Sequence, residues 1–201
     1  MRFNRHSPGS VMHGPMEEGG MELPEFYSCQ NELQAPNIIG QLRNGGTVAN
    51  DVLTTIDMVQ LISGLITPVF EFKAPLKYLD KGFLTSLHDR LQEIDATIWI
   101  EDAWTPSLQR ENDESLMEAF LGRNTFSKAD LKKINAVRMF LRVITIADLV
   151  VPDGTYVGSL AMRGQWRADS ALEWPDEPKP PAKWFAIFRK AIRTTSVLLD
   201  D

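Results

Sequence analysis

Cysteine is nearly missing from this chain. One thiol, Cys29, in 201 residues cannot close an internal disulfide, and that usage points to a reducing, intracellular setting in the nucleus or cytoplasm. Histidine is almost as scarce. His6 and His13 lie near the N-terminus and His88 stands apart from both, so no HExxH, CxxC or EF-hand pattern is present and no metal is expected. No G-x-G-x-x-G follows a strand-like run, and neither a P-loop lysine nor a G-x-S-x-G elbow occurs. These absences remove a built-in phosphate cradle and a serine nucleophile, and no cofactor is expected. No apolar run approaches the roughly 20 residues that cross a bilayer, so no membrane partner is expected. The opening MRFNRHSPGSVMHGPMEEGGMELPEF also lacks the continuous apolar core of a secretory signal. The net charge of −6 and pI of 5.1 exclude a protein that coats nucleic acid by overall charge, while leaving room for a local basic patch.

What is present is 43% hydrophobic and 24% charged, which suits a folded domain with a real core. The expected fold is mainly α (α+β), a helix-dominated single domain with a few short strands. Residues 1–44 read as a largely disordered leader, 45–193 as the domain and 194–201 as a tail. A helix capped by Asn50 or Asp51 buries Val52, Ile56, Val59 and Ile62 and stops near Gly64. TPVFEFKAPLKYL reads as extended or loop. Asp80 is the expected cap of a second helix, with Phe83, Leu87 and Leu91 in one apolar row. ATIWIE alternates like a strand, and a short helix from Asn112 or Asp113 should bury Leu116, Met117 and Phe120. Ser127 and Asp130 form a capping-box pattern ahead of the stripe Ile134, Val137, Leu141 and Ile144. Pro152-Asp153-Gly154 suggests a tight hairpin. The connector ALEWPDEPKPP then leads into a last helix, with Trp184, Phe188 and Ile192 on one face.

Two constellations invite chemistry. Glu101, Asp102, Glu111 and Asp113 gather carboxylates near a strand end, where acid–base work or a divalent ion is conceivable. Helix capping and solvated loop charge explain them more simply. Asp200 and Asp201 are adjacent as in polymerase sites, yet a frayed chain end does not preorganise two metals. The second constellation is cationic. From Arg163 to Arg193 seven Lys or Arg face four Asp or Glu, a reversal of the chain's overall sign. Arg163, Arg167, Lys183, Arg189, Lys190 and Arg193 are candidate phosphate ligands, with Trp166, Trp174 and Trp184 as candidate base-stacking platforms for RNA or DNA. By pattern alone, core tryptophans and a solvated basic helix face are the more economical account. Pro175, Pro178, Pro180 and Pro181 form a candidate ligand for a proline-binding protein partner.

The segments WIEDAWTPSLQRENDESLMEAF, INAVRMFLRVITIADLVVPDGT and LEWPDEPKPPAKWFAIFRKAI, in that order, resemble a series in retroelement-type open reading frames of microbial eukaryotes such as diatoms. The resemblance covers about residues 75–193. It includes the spacing of Trp174-Pro175, Pro178, Pro180-Pro181 and Trp184, with an aromatic at Phe188. It implies a segment downstream of a reverse-transcriptase domain and ahead of an RNase H-like region. Neither the polymerase aspartates nor the RNase H carboxylates fall on this chain, and the opening and TTSVLLDD depart from the series. The resemblance therefore implies a non-catalytic accessory segment or remnant that assists nucleic-acid handling, not an enzyme. The alternatives are a protein-interaction module using residues 175–181 and apolar helix faces, or an inactive leftover frame. Within this reading Trp99 and Trp104 pack a hinge between strand and helix.

Overall fold

The computed structural model describes residues 13, 15–18, 26–101, 103–111, 113–123, 125–150, 158, 163–165 and 172–195. They are dominated by helix, and the chain divides into two compact units, Met1–Asn50 and Asp51–Asp201. The first unit carries a short 3-10 turn, Met16–Glu18, and helix α1, Phe26–Asn44. The helix occupies ground that the sequence assigns to a leader. Its weak amphipathicity hides it, and Pro36 inside it withholds one backbone donor from the helical ladder. Gln34 and Ile38, four residues apart and so on one face, are buried. The Cys29 side chain and the Pro152–Gly154 turn lie outside what is described.

Helix α2, Gly46–Ser63, starts ahead of the expected Asn50 or Asp51 cap and crosses the division between units. Its stop is the best-defined feature of the second unit. Gly64 adopts φ +72, the left-handed conformation that glycine enters at little cost, and its N–H donates to the Gln60 carbonyl at 3.1 Å. Residues 65–82 then run without regular structure, as expected of TPVFEFKAPLKYL within them, yet bury Leu65, Val69, Phe70, Leu76 and Tyr78. Gln60 holds this loop. Its amide donates to the Leu65 and Thr67 carbonyls, both at 2.9 Å, and its oxygen accepts from the Val69 N–H at 2.7 Å.

Helix α3, Phe83–Glu93, buries Leu84, Leu87, His88 and Leu91. Two expectations fail here. Gly82, not Asp80, precedes the helix, with the Thr85 hydroxyl accepting from the Gly82 N–H at 2.7 Å, while the Asp80 carboxylate pairs with Lys132. Phe83 is 46% exposed instead of buried. The strand expected at ATIWIE is absent. Residues 96–100 have no ladder partner, and Trp99 is 85% exposed, so it does not pack a hinge. Trp104 is half-buried, its N–H held by the Asp57 carboxylate at 3.0 Å.

Helix α4, Leu116–Gly122, is capped by Ser115 through the Glu118 N–H, not by Asn112 or Asp113; Asn112 lies outside the described residues. Helix α5, Lys128–Leu141, begins as its capping pattern requires: the Ser127 hydroxyl accepts from the Asp130 N–H at 3.1 Å. It ends at Arg142, a non-glycine residue at φ +58. The antiparallel bridge Ser115–Thr145 brings the start of α4 beside the exit of α5. Helix α6, Ala182–Thr195, packs on α5 and, less extensively, on α4. Phe140 and Phe185 meet edge to face at 6.0 Å between α5 and α6. The core of the unit is therefore helix on helix.

Candidate nucleic-acid interface

Helix α6 is amphipathic, and burial falls on Phe185, Phe188, Ala191 and Ile192. Trp184 is only half-buried, so Phe185 takes the inward position that the sequence gives to the tryptophan. Gly164 explains why Phe185 fits. It sits at φ +67, and a Cβ there would lie 3.0 Å from the phenyl ring, so only a glycine lets the backbone lie on that ring without displacing it. The same approach places Arg163 at the start of α6.

There the surface forms a cleft of about 210 Å³. Arg163, Lys179 and Arg189 bring three cations to it, from the segment before the connector, from the connector itself and from the second turn of the helix. Gly164, Pro180 and Phe185 supply apolar surface, and among the described residues no carboxylate lines it. Ala182, the first residue of α6, also borders it, so the positive end of the helix dipole reinforces the side-chain charge. Charged groups beside buried apolar surface such as Pro180 and Phe185 act across a lower dielectric than in open water.

The expected site residues separate. Arg163 and Arg189 meet at the cleft; Lys183, Lys190 and Arg193 are exposed elsewhere on α6. Lys190 adds to the field around Asp130, whose carboxyl is held below its ordinary value by Lys133 and Ser127 first and by Lys190 last. Trp166 and Arg167 lie outside the described residues. Trp174 is half-buried with the Arg138 guanidinium 5.8 Å from its ring centre, so that face meets protein, not a base. Of the prolines, Pro180 is buried in the cleft wall, Pro175 is half-buried, and Pro178 and Pro181 are exposed. Sequence reasoning passed over Lys179 as a site residue. Its signal is a lone lysine in Pro178-Lys179-Pro180, where flanking rings fix the backbone and so the direction of the side chain.

The acidic stretch has a structural role. The Asp113 carboxylate accepts from the N–H groups of Glu114 and Ala147, both at 3.0 Å, and Glu101 and Glu111 are exposed; Asp102 is outside the described residues. Asp148 likewise accepts from Ile144 and Thr145 N–H groups, and Glu118 from Ile66 and Thr67. Among the described residues no group of three His, Cys, Asp or Glu is arranged to hold a metal, and no helix is long and apolar enough to cross a membrane.

No family model and no solved structure matches the chain. A biosynthetic arginine decarboxylase of Prochlorococcus marinus (strain MIT 9215) is 30% identical over 73 residues, which is 34% of this chain and 11% of that protein. The chain thus matches about a tenth of the length of that relative, a local similarity that does not fix a family.

Proposed function

We propose that the chain is a non-catalytic accessory segment that handles nucleic acid, of the kind found in retroelement-type frames, and that it does so through the cationic surface of α6. The supporting observation is the gathering of Arg163, Lys179 and Arg189 around one cleft, with Lys183, Lys190 and Arg193 exposed on the same helix. Phosphate contacts need cations on an accessible surface and tolerate a net acidic protein, provided the charges are segregated. Base stacking contributes less in this reading, because Trp174 already faces Arg138.

The test is titration of single-stranded and hybrid nucleic acid at roughly 50 and 200 mM salt. Wild type is compared with an Arg189→Ala, Lys190→Ala, Arg193→Ala variant whose melting temperature is measured alongside. Saturable binding that weakens with salt and is lost in the folded variant supports the reading; indifference of both proteins at low salt defeats it. The exposure of Pro178 and Pro181 favours a second reading, docking of the connector to a proline-binding protein. Such docking would be nearly insensitive to salt.

A further inference from the structure

We infer that Asn44-Gly45, in the turn between α1 and α2, is a covalent modification site: it deamidates spontaneously and converts a neutral side chain into a carboxylate. This chemistry is independent of nucleic-acid binding.

Deamidation begins when a backbone nitrogen attacks the side-chain carbonyl of the asparagine before it. Here a bond forms from the Gly45 nitrogen to Cγ of Asn44, the Cγ–Nδ2 bond breaks, and ammonia leaves with the proton of the nitrogen. Water then opens the five-membered imide at either carbonyl. The products are aspartate or, with the side-chain methylene moved into the main chain, isoaspartate. No oxidant or cofactor enters the step.

Asn44 is the only asparagine of the chain that is followed by glycine. The attacking nitrogen is therefore the one that no neighbouring side chain shields. Asn44, Gly45 and Gly46 are all exposed. Among the described residues nothing lies within 4 Å of where a Cβ on Gly45 or Gly46 would stand, so no packing holds the turn against ring closure. Asn44 is the last residue of α1, and helix ends open first. The Gly45 N–H donates to the Leu42 carbonyl at a long 3.3 Å, a bond that is cheaply released. Asn135 is the contrasting case. It is buried in α5 ahead of Ala136, and its amide donates to the Ile62 carbonyl at 3.0 Å. The product at position 44 sets a new negative charge at the negative end of the α1 dipole, and isoaspartate also lengthens the turn. Conversion therefore loosens the last turn of α1.

The experiment ages the full chain at mildly alkaline pH, folded and in urea, and follows each asparagine by peptide mass spectrometry. In the folded chain Asn44 should gain about one mass unit at a rate within about tenfold of that in urea, the reach of a fraying helix end. Asn135 should stay unchanged in the folded chain, and Asn44→Gln should remove the gain at position 44, since glutamine must close a larger ring. Asn44→Asp, the direct product, should exchange the amides of the last turn of α1 faster than wild type and leave residues 132–141 unaltered. An Asn44 that converts in urea but persists in the folded chain would overturn the site by showing that the turn protects it. Conversion of Asn50 ahead of Asn44 would also overturn it, and unchanged exchange in Asn44→Asp would overturn its effect on α1.

Discussion

Arg138 is the largest fully buried side chain among the described residues. Burial pushes its guanidinium down to about 10, still far enough above neutrality to keep the charge. No carboxylate bonds it. Its donors reach the carbonyls of Leu61 at 2.9 Å, Ile62 at 2.8 Å and Val143 at 3.1 Å, and the Asn135 amide oxygen at 2.9 Å. The negative end of α2 thus supplies the counter-charge. Tyr78 and Ser115 complete the arrangement by donating to the Ser63 and Gly64 carbonyls, and burial pushes the Tyr78 hydroxyl well above its ordinary value. Arg138→Met should destabilise the fold by about 3–5 kcal/mol in urea titration, because it strands buried carbonyls. Gly64→Ala should do comparable damage: its Cβ would lie 2.7 Å from the guanidinium and its φ is unsuited to alanine. His88 makes a different prediction. Its ring is buried, Nε2 lies 3.0 Å from the Phe72 carbonyl, and Nδ1 lies 4.0 Å from Asp89 without a hydrogen bond. Burial lowers its pKa from the ordinary 6.5 despite the Phe72 bond and Asp89. The unfolded chain therefore takes up the proton first. Stability from this group should be complete above about pH 6.5 and be lost as pH falls through the lower folded value. Urea midpoints between pH 7 and 5 should decline in wild type and flatten in His88→Gln, since few carboxylates titrate there.

At the scale of the element, α5 carries the clearest test. Ser127→Ala should cost about 1 kcal/mol by removing the hydroxyl that accepts from the Asp130 N–H. Amides of residues 132–141 should exchange among the slowest in the chain, because Ile134, Val137 and Leu141 are buried on the same helix. This helix was legible because its cap, period and stripe agree. The elements misread were those in which local pattern and tertiary setting disagree. ATIWIE alternates like a strand, but a strand needs a partner, and no neighbouring chain pairs with it. Asp113 looks like a helix cap and instead binds the Ala147 N–H, 34 residues on, a relation that no local pattern encodes. In α1 the polar and apolar residues are mixed around the axis, so periodicity has little to report. The buried Arg138 did leave a trace, an arginine beside Val137 within an apolar stripe.

Across the whole molecule, charge is segregated more sharply than composition suggests. The chain is acidic overall, yet α6 carries Lys183, Arg189, Lys190 and Arg193 and no carboxylate. The cations of the site were legible as residue types, whereas the cleft was not, because Gly164 and Lys179 reach it only through tertiary packing. If α6 engages three phosphates of a single strand, the logarithm of affinity should fall against that of salt with a slope of about −2. The variant lacking Arg189, Lys190 and Arg193 should show a shallower slope in the same titration, because Arg163, Lys179 and Lys183 remain.

The bonds from Arg138 to Leu61 and Ile62 join positions 77 and 76 residues apart, and Glu118 holds Ile66 and Thr67 across 52 and 51 residues. Between the partners lie residues 96–101 and 103–111, without regular structure, which contribute Trp104 as a tether to Asp57. The backbone there should therefore be dispensable as a covalent link. A protease site engineered at Ser107–Gln109, where the side chains are exposed, should give a scission product whose halves co-elute as one species in size-exclusion chromatography. They should separate only in denaturant, and co-expressed halves should reassemble. Arg138→Met should abolish that complementation before it abolishes the helices, because the guanidinium is the clasp between the pieces.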